Sequence, residues 1–265
     1  MINIITRKFK DQWRSILYYL AGLSAYSWIM IAMYPSMKKV NLETYFEQMP
    51  KEFLQFFGAT DMKAYSTIEG FLSMEYLSSF FILIIAFYVA ATAGSTIAGA
   101  IEKRTIDFEL SQPISRTKLI LSEAIVSLFN TFLITFGAVY IIWLLCQIYD
   151  VSISGKGIFS FALTATVLMW AIYGIAILIS AILRSKMSVA AVTLAFVLGS
   201  FIFFSLTQIF DKLKNFDILS IFYLYPNPQE VLKNSQIYWD KIGVLILILL
   251  VGLISSLVIF NKKDI

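Results

Sequence analysis

Residues 102–116 read EKRTIDFELSQPISR, a charged island between two long apolar runs. Residues 76–101 before it and 124–149 after it contain no Asp, Glu, Lys or Arg. Each run is longer than the roughly 20 apolar residues that carry a helix across the hydrocarbon core of a bilayer. The island is therefore a short polar excursion between two membrane-length helices. Within it, Ile101, Thr105 and Phe108 recur at helical spacing and Lys103 stands four residues before Asp107, a pattern of one or two amphipathic turns. Pro113 stops that helix, and Ser115 is placed to N-cap the next one, which runs through Lys118 into the following apolar run. An ordinary solvated loop accounts for the charges. A docking surface also accounts for Phe108 and Leu110 among them.

Composition extends this reading to the whole chain. Of the 265 residues, 59% are hydrophobic and only 14% charged, with a mean hydropathy of +0.78. Soluble domains carry about a quarter charged residues, so this is an integral membrane protein, expected as one membrane domain over residues 1–265. Its length leaves no room for a nucleotide-binding domain beside the membrane helices. The net charge of +4 comes mainly from lysines that flank apolar runs, which speaks against nucleic acid as a partner. The single cysteine, Cys146, lies inside an apolar run, where a buried structural thiol is expected and an intrachain disulfide is excluded.

Hydropathy predicts an all-α membrane protein with six spans, at 15–34, 76–101, 124–149, 157–183, 187–210 and 242–260. All five prolines (Pro35, Pro50, Pro113, Pro226, Pro228) fall between these segments. The first span, behind Arg7, Lys8, Lys10 and Arg14, lacks a small-x-small cleavage site and is expected to be retained. Ile4–Trp13 mixes bases with Ile5, Phe9 and Trp13. That mixture suits a short helix lying on the membrane surface, with a disordered basic tail as the alternative. Twelve of the 21 bases and six of the 17 acids fall on the side of the N-terminus and the island, so both termini and the island are expected in the cytoplasm of a multi-pass plasma-membrane protein.

Between the first two spans, residues 35–75 form a long outer segment. Leu42, Tyr45, Phe46, Met49, Phe53, Phe56 and Phe57 make an apolar stripe opposed by Glu43, Glu47, Lys51 and Glu52, the pattern of a segment lying on the outer leaflet or capping the bundle. A second outer segment, residues 211–241, holds Phe222-Tyr223-Leu224-Tyr225 before Pro226 and Pro228, and reads as interfacial or re-entrant.

Absences narrow the function. None of the six predicted cores contains an ionisable residue, whereas proton- and sodium-coupled carriers usually bind the coupling ion at buried carboxylates or broken helices. The chain has no histidine, which removes histidine metal sites, Ser-His-Asp triads and a histidine base together. No catalytic, cofactor-binding or metal-binding residue is expected. Small residues do recur at four-residue spacing: Ala90, Gly94 and Ala98; Ala191, Ala195 and Gly199; Gly252 and Ser256. Such spacing lets helix backbones approach closely in lipid.

Glu102, Thr105-Ile106, Glu109, Pro113-Ile114 and Ser115-Arg116 resemble the first cytoplasmic loop of ABC-2 type transporter permeases. That pattern runs Glu, then Gly-Thr-Leu/Ile-Glu, then Pro-Val/Ile-Ser/Thr-Arg. This chain departs from it at Arg104, where glycine is usual, and at Asp107, where Glu is commoner. YFEQMPKEFLQFFG and Glu69-Gly70-Phe71-Leu72 also resemble what many such permeases carry between their first two spans.

The resemblance implies the membrane subunit of an ABC exporter in a bacterial plasma membrane. It implies a coupling helix in the island that docks a separately encoded ATPase subunit through Glu102, Arg104, Thr105, Phe108, Glu109, Pro113 and Arg116. ATP and magnesium would sit on that partner, with no cofactor in this chain. It also implies a second permease copy, with Ala90, Gly94, Ala98, Ala191, Ala195 and Gly199 packing helices or lining the pathway, and membrane lipid around the bundle. Aromatic, uncharged spans suit an amphipathic or lipophilic cargo: a peptide, an antibiotic or a lipid. The alternative is a sensor or immunity protein whose loop docks another cytoplasmic protein.

Overall fold

The computed structural model describes residues 2–39, 66–103 and 115–263. The outer stripe from Leu42 to Phe57 and, in the island, Arg104, Thr105, Phe108, Glu109 and Pro113 lie outside the described residues. The described residues are predominantly helical, with no strand among them. Among the described residues, five helices are individually long and apolar enough to cross a membrane, and a bent pair brings the number to as many as six.

Helix α1 spans Ile2–Lys39 without interruption. This corrects the expected surface helix at Ile4–Trp13: the basic segment continues the first span instead of lying flat. At 1.5 Å per residue its 38 residues reach about 57 Å, well beyond the roughly 30 Å hydrocarbon core. The N-terminal part is held upright by its neighbour. Phe9 packs on Phe129 at 5.9 Å between ring centroids, and Asn130 Nδ2 donates to Gln12 Oε1 at 2.7 Å. Ile16, Leu23, Ile31 and Tyr34, all buried, mark the face turned to the bundle. Pro35 also lies inside α1, not after it. There it cannot donate the hydrogen bond to Ile31 one turn back, and its ring crowds that carbonyl.

The second span departs most from expectation. Instead of one helix over 76–101, the chain forms α2 (Ile68–Leu72), a π-helical turn (Ser73–Leu77), α3 (Phe80–Thr96) and α4 (Ala98–Glu102). The first pieces meet α3 at 41°. Groups freed at a helix break must find other partners away from water. Here the second outer segment, which folds as 3₁₀ turns over Asp211–Leu219 and Ile221–Leu224, supplies one such partner and a side-chain bond beside it. Tyr225 Oη donates to Leu77 O at 3.1 Å, and Ser73 Oγ donates to Asn227 Oδ1 at 3.2 Å. Burial around Tyr225 pushes its hydroxyl well above the ordinary tyrosine value, so it remains a donor. The segment read as interfacial or re-entrant is thus a plug on the kink of the second span.

The remaining helices follow hydropathy closely: α5 at Arg116–Ile148, α6 at Gly155–Ile182, α7 at Lys186–Ile209, a short α8 at Pro228–Asn234 and α9 at Trp239–Lys262. Ser115 N-caps α5 as expected, accepting from Lys118 N at 3.3 Å. Pro228 opens α8 at a first-turn position, where its missing N–H costs nothing. Helix α6 is the centre of the bundle and packs against α3, α5, α7, α8 and α9. Its contact with α9 is close enough that a Cβ on Gly252 would overlap the backbone of Gly174. Cys146 is fully buried.

Candidate functional site

The flanks of the island converge on one end of the bundle, where α4 ends, α5 and α7 begin, and α6 and α9 end. Glu102, the last residue of α4, accepts a hydrogen bond at Oε2 from the backbone N–H of Lys186 at 2.8 Å, and at Oε1 from the Ser185 hydroxyl at 3.5 Å. The carboxylate thus sits on the N-terminus of α7, where unpaired N–H groups and the helix dipole favour a negative charge. One turn earlier, Ala98 N donates to Ser180 Oγ at 3.1 Å, fixing α4 to α6 where α3 gives way to α4. Gly94 permits the approach of α7: a Cβ there would stand 3.0 Å from Lys186 O.

Arg116 does the converse at a helix C-terminus. Its Nη1 donates to Lys263 O at 2.9 Å and to Phe260 O at 3.3 Å, and its guanidinium lies 5.6 Å from the centroid of the Phe260 ring. Those carbonyls close α9, so a cation is well placed on them. Lys263 passes the link on, donating from Nζ to Ala181 O at 2.8 Å and Ile182 O at 3.4 Å at the end of α6. Burial, seconded by the charge of Arg184, pulls the Lys263 ammonium below the ordinary lysine value. Asn261 Nδ2 adds a 3.3 Å bond to Thr117 Oγ1. Through Glu102, Arg116 and Lys263, the two ends of the island are fastened to α6, α7 and α9.

This arrangement makes Glu102 measurable. Glu102→Ala is expected to cost about 0.5–1 kcal/mol, the low end for loss of a helix-capping side chain because the residue is exposed. Thermal unfolding of the purified protein reads it, with Glu102→Gln keeping part of the difference.

A family model described as ABC-2 family transporter protein matches residues 2–265. The chain belongs to that family. It is a multi-pass membrane permease of an ABC system, the membrane component that works with an ATP-binding partner. None of the curated proteins and none of the solved structures matches it.

In this ABC-2 permease the two small-residue stripes face differently. Ala90, Gly94 and Ala98 are buried among α6 and α7, so in the chain as it stands they pack its own helices. Ala191, Ala195 and Gly199 are exposed along α7, and a Cβ on Gly199 would meet nothing within 4 Å. Of the expected island residues, Glu102 and Arg116 are placed on neighbouring helix ends.

Three residues with a part at this end were missed by sequence reasoning. Lys186 and Lys263 carry nothing in the sequence that marks them beyond a positive charge beside an apolar run. Glu123 falls just before the span predicted at 124–149, yet it lies in α5, is 7% exposed and pairs with Lys8 of α1. Its signal was available: Glu123, Ser127, Asn130 and Thr131 share one face of α5 at helical spacing, a polar stripe that a lipid-facing helix would not carry.

Proposed function

We propose that this chain is the six-span permease subunit of an ABC exporter, moving an amphipathic or lipophilic substrate outward. ATP hydrolysed on a separately encoded subunit supplies the energy. Two permeases, identical or related, form the pathway, with both termini and the island in the cytoplasm of a bacterial plasma membrane. The observation that best supports the coupling role of the island is the fastening of its two ends. Glu102 holds the first turn of α7, and Arg116 with Lys263 holds the last turns of α9 and α6.

A lateral push on the island therefore moves three helix ends through charge-assisted bonds. It also acts on α3 through the break at Ile97, where the span is already discontinuous. Closure of the ATPase pair supplies the push, and the helix ends convert it into a switch between inward- and outward-facing arrangements. In this reading Arg104, Thr105, Phe108, Glu109 and Pro113 meet the ATPase, with Thr105 and Phe108 filling its groove. Glu102 and Arg116 serve both as docking residues and as anchors.

The test is co-purification with candidate ATPase subunits from neighbouring genes. Phe108→Asp is expected to release the ATPase while leaving the permease in the membrane at its normal level. Arg116→Met is expected to keep the complex and its ATP hydrolysis but to reduce transport at least tenfold. Full transport by Phe108→Asp would overturn the coupling assignment.

A further inference from the structure

Between α1, α3, α4, α5 and α7 at the island end lies a cavity of about 250 Å³. Three lysines line it, Lys8, Lys103 and Lys186, together with one carboxylate, Glu123. Glu123 is ion-paired with Lys8. Lys103 and Lys186 make no ion pair among the described residues. Glu102 stands close by, but its carboxylate is engaged by the Lys186 N–H and the Ser185 hydroxyl. Counting Glu102, the five charged groups sum to +1, and neither the Lys103 nor the Lys186 ammonium is ion-paired among the described residues.

The cavity is also built. The Lys186 stem is seated against the missing side chains of two glycines: a Cβ on Gly94 would stand 3.4 Å from its Cγ, and one on Gly99 3.5 Å from its Cβ. Ser95, Thr96, Gly99 and Ala100 complete the lining.

We propose that this cavity binds a phosphate group. Two ammonium groups on one cavity, with no ion pair among the described residues, match a group that presents several charged acceptor oxygens. The cavity opens at the basic end of the bundle, where clustered lysines meet the headgroup region and anionic headgroups collect. The phosphate is either that of an anionic phospholipid or free in solution, and the two sources are separable.

Wild-type protein is placed in phosphatidylcholine nanodiscs, and its unfolding midpoint is read alone, with phosphatidylglycerol mixed into the disc, and with inorganic phosphate added to the buffer. The expected result is a rise of about 2–4 °C with one of the two probes. It should vanish in Lys103→Gln/Lys186→Gln and persist in Lys103→Arg/Lys186→Arg. A rise with phosphatidylglycerol identifies a lipid headgroup, and a rise with inorganic phosphate identifies the free ion. Should glutamine at position 186 disturb the first turn of α7, Lys103→Gln alone is expected to halve the rise, since Lys103 is exposed. No rise with either probe, or an equal rise in the glutamine variants, overturns the proposal. Neither ATPase nor transport enters the measurement, so its outcome is independent of the exporter reading.

Discussion

Gly252→Leu is expected to abolish the folded bundle, and Gly252→Ala to damage it severely. At this position α9 rests on α6 backbone to backbone: a Cβ on Gly252 would overlap Gly174, and a Cβ on Gly174 would stand 2.6 Å from Leu249 Cα. Overpacking a well-filled core usually costs about 1–3 kcal/mol because side chains shift to make room. Here the obstacle is main chain of the central helix, which also packs against α3, α5, α7 and α8, so it cannot yield locally. The leucine variant should therefore fail to give a monodisperse peak on extraction. Gly243→Ala supplies the control, since in the same helix a Cβ there meets nothing within 4 Å. Its midpoint should match or slightly exceed the wild type, because alanine is the better helix former. If Gly252→Leu unfolds at the wild-type temperature, the α6–α9 contact is not as described.

That contact was half visible in the sequence. Gly252 and Ser256 stand out at four-residue spacing, but spacing cannot say which helix they meet, and the partner, Gly174, belongs to no such pair. The same division holds elsewhere. Helices α5, α6, α7 and α9 were legible because a membrane span is a composition signal, set by the thickness of the hydrocarbon core rather than by neighbours. The broken second span was not legible. Its residues are as apolar as the others, and what permits the kink lies about 150 residues away, in Tyr225 and Asn227. The continuity of α1 was hidden for a related reason. Bases near an apolar run read as a surface helix until Phe129, Asn130 and Glu123 of α5 are seen to face Phe9, Gln12 and Lys8. In the island, Ser115 announced its cap, while the partners of Glu102 and Arg116 are helix ends some 80 to 150 residues further on, which no local pattern encodes.

Removing either member of the Lys8–Glu123 pair is expected to be the most destabilising change among the polar residues. The Glu123 side chain is 9% exposed and that of Lys8 28%. Stripping one partner from a buried pair costs about 3–5 kcal/mol, because the survivor is left as an uncompensated charge. The partial exposure of Lys8 puts Glu123→Ala toward the lower end, since the stranded ammonium reaches water, and Lys8→Ala toward the upper end, since it strands the carboxylate in the bundle. The two residues have further interactions, so the coupling must come from a double-mutant cycle rather than from either single variant. In Lys8→Met/Glu123→Leu the loss should be largely recovered, as apolar side chains of similar volume often replace a buried pair without penalty. Unfolding midpoints in nanodiscs read the cycle. High salt should leave it nearly unchanged, because a buried pair is poorly screened. Additive losses, with no recovery in the double variant, would mean that the pair does not hold α1 upright and that Phe9 on Phe129 with Gln12 on Asn130 suffices. Recovery would make this buried ion pair the fastening that turns a basic N-terminal segment from a surface helix into the extension of a span.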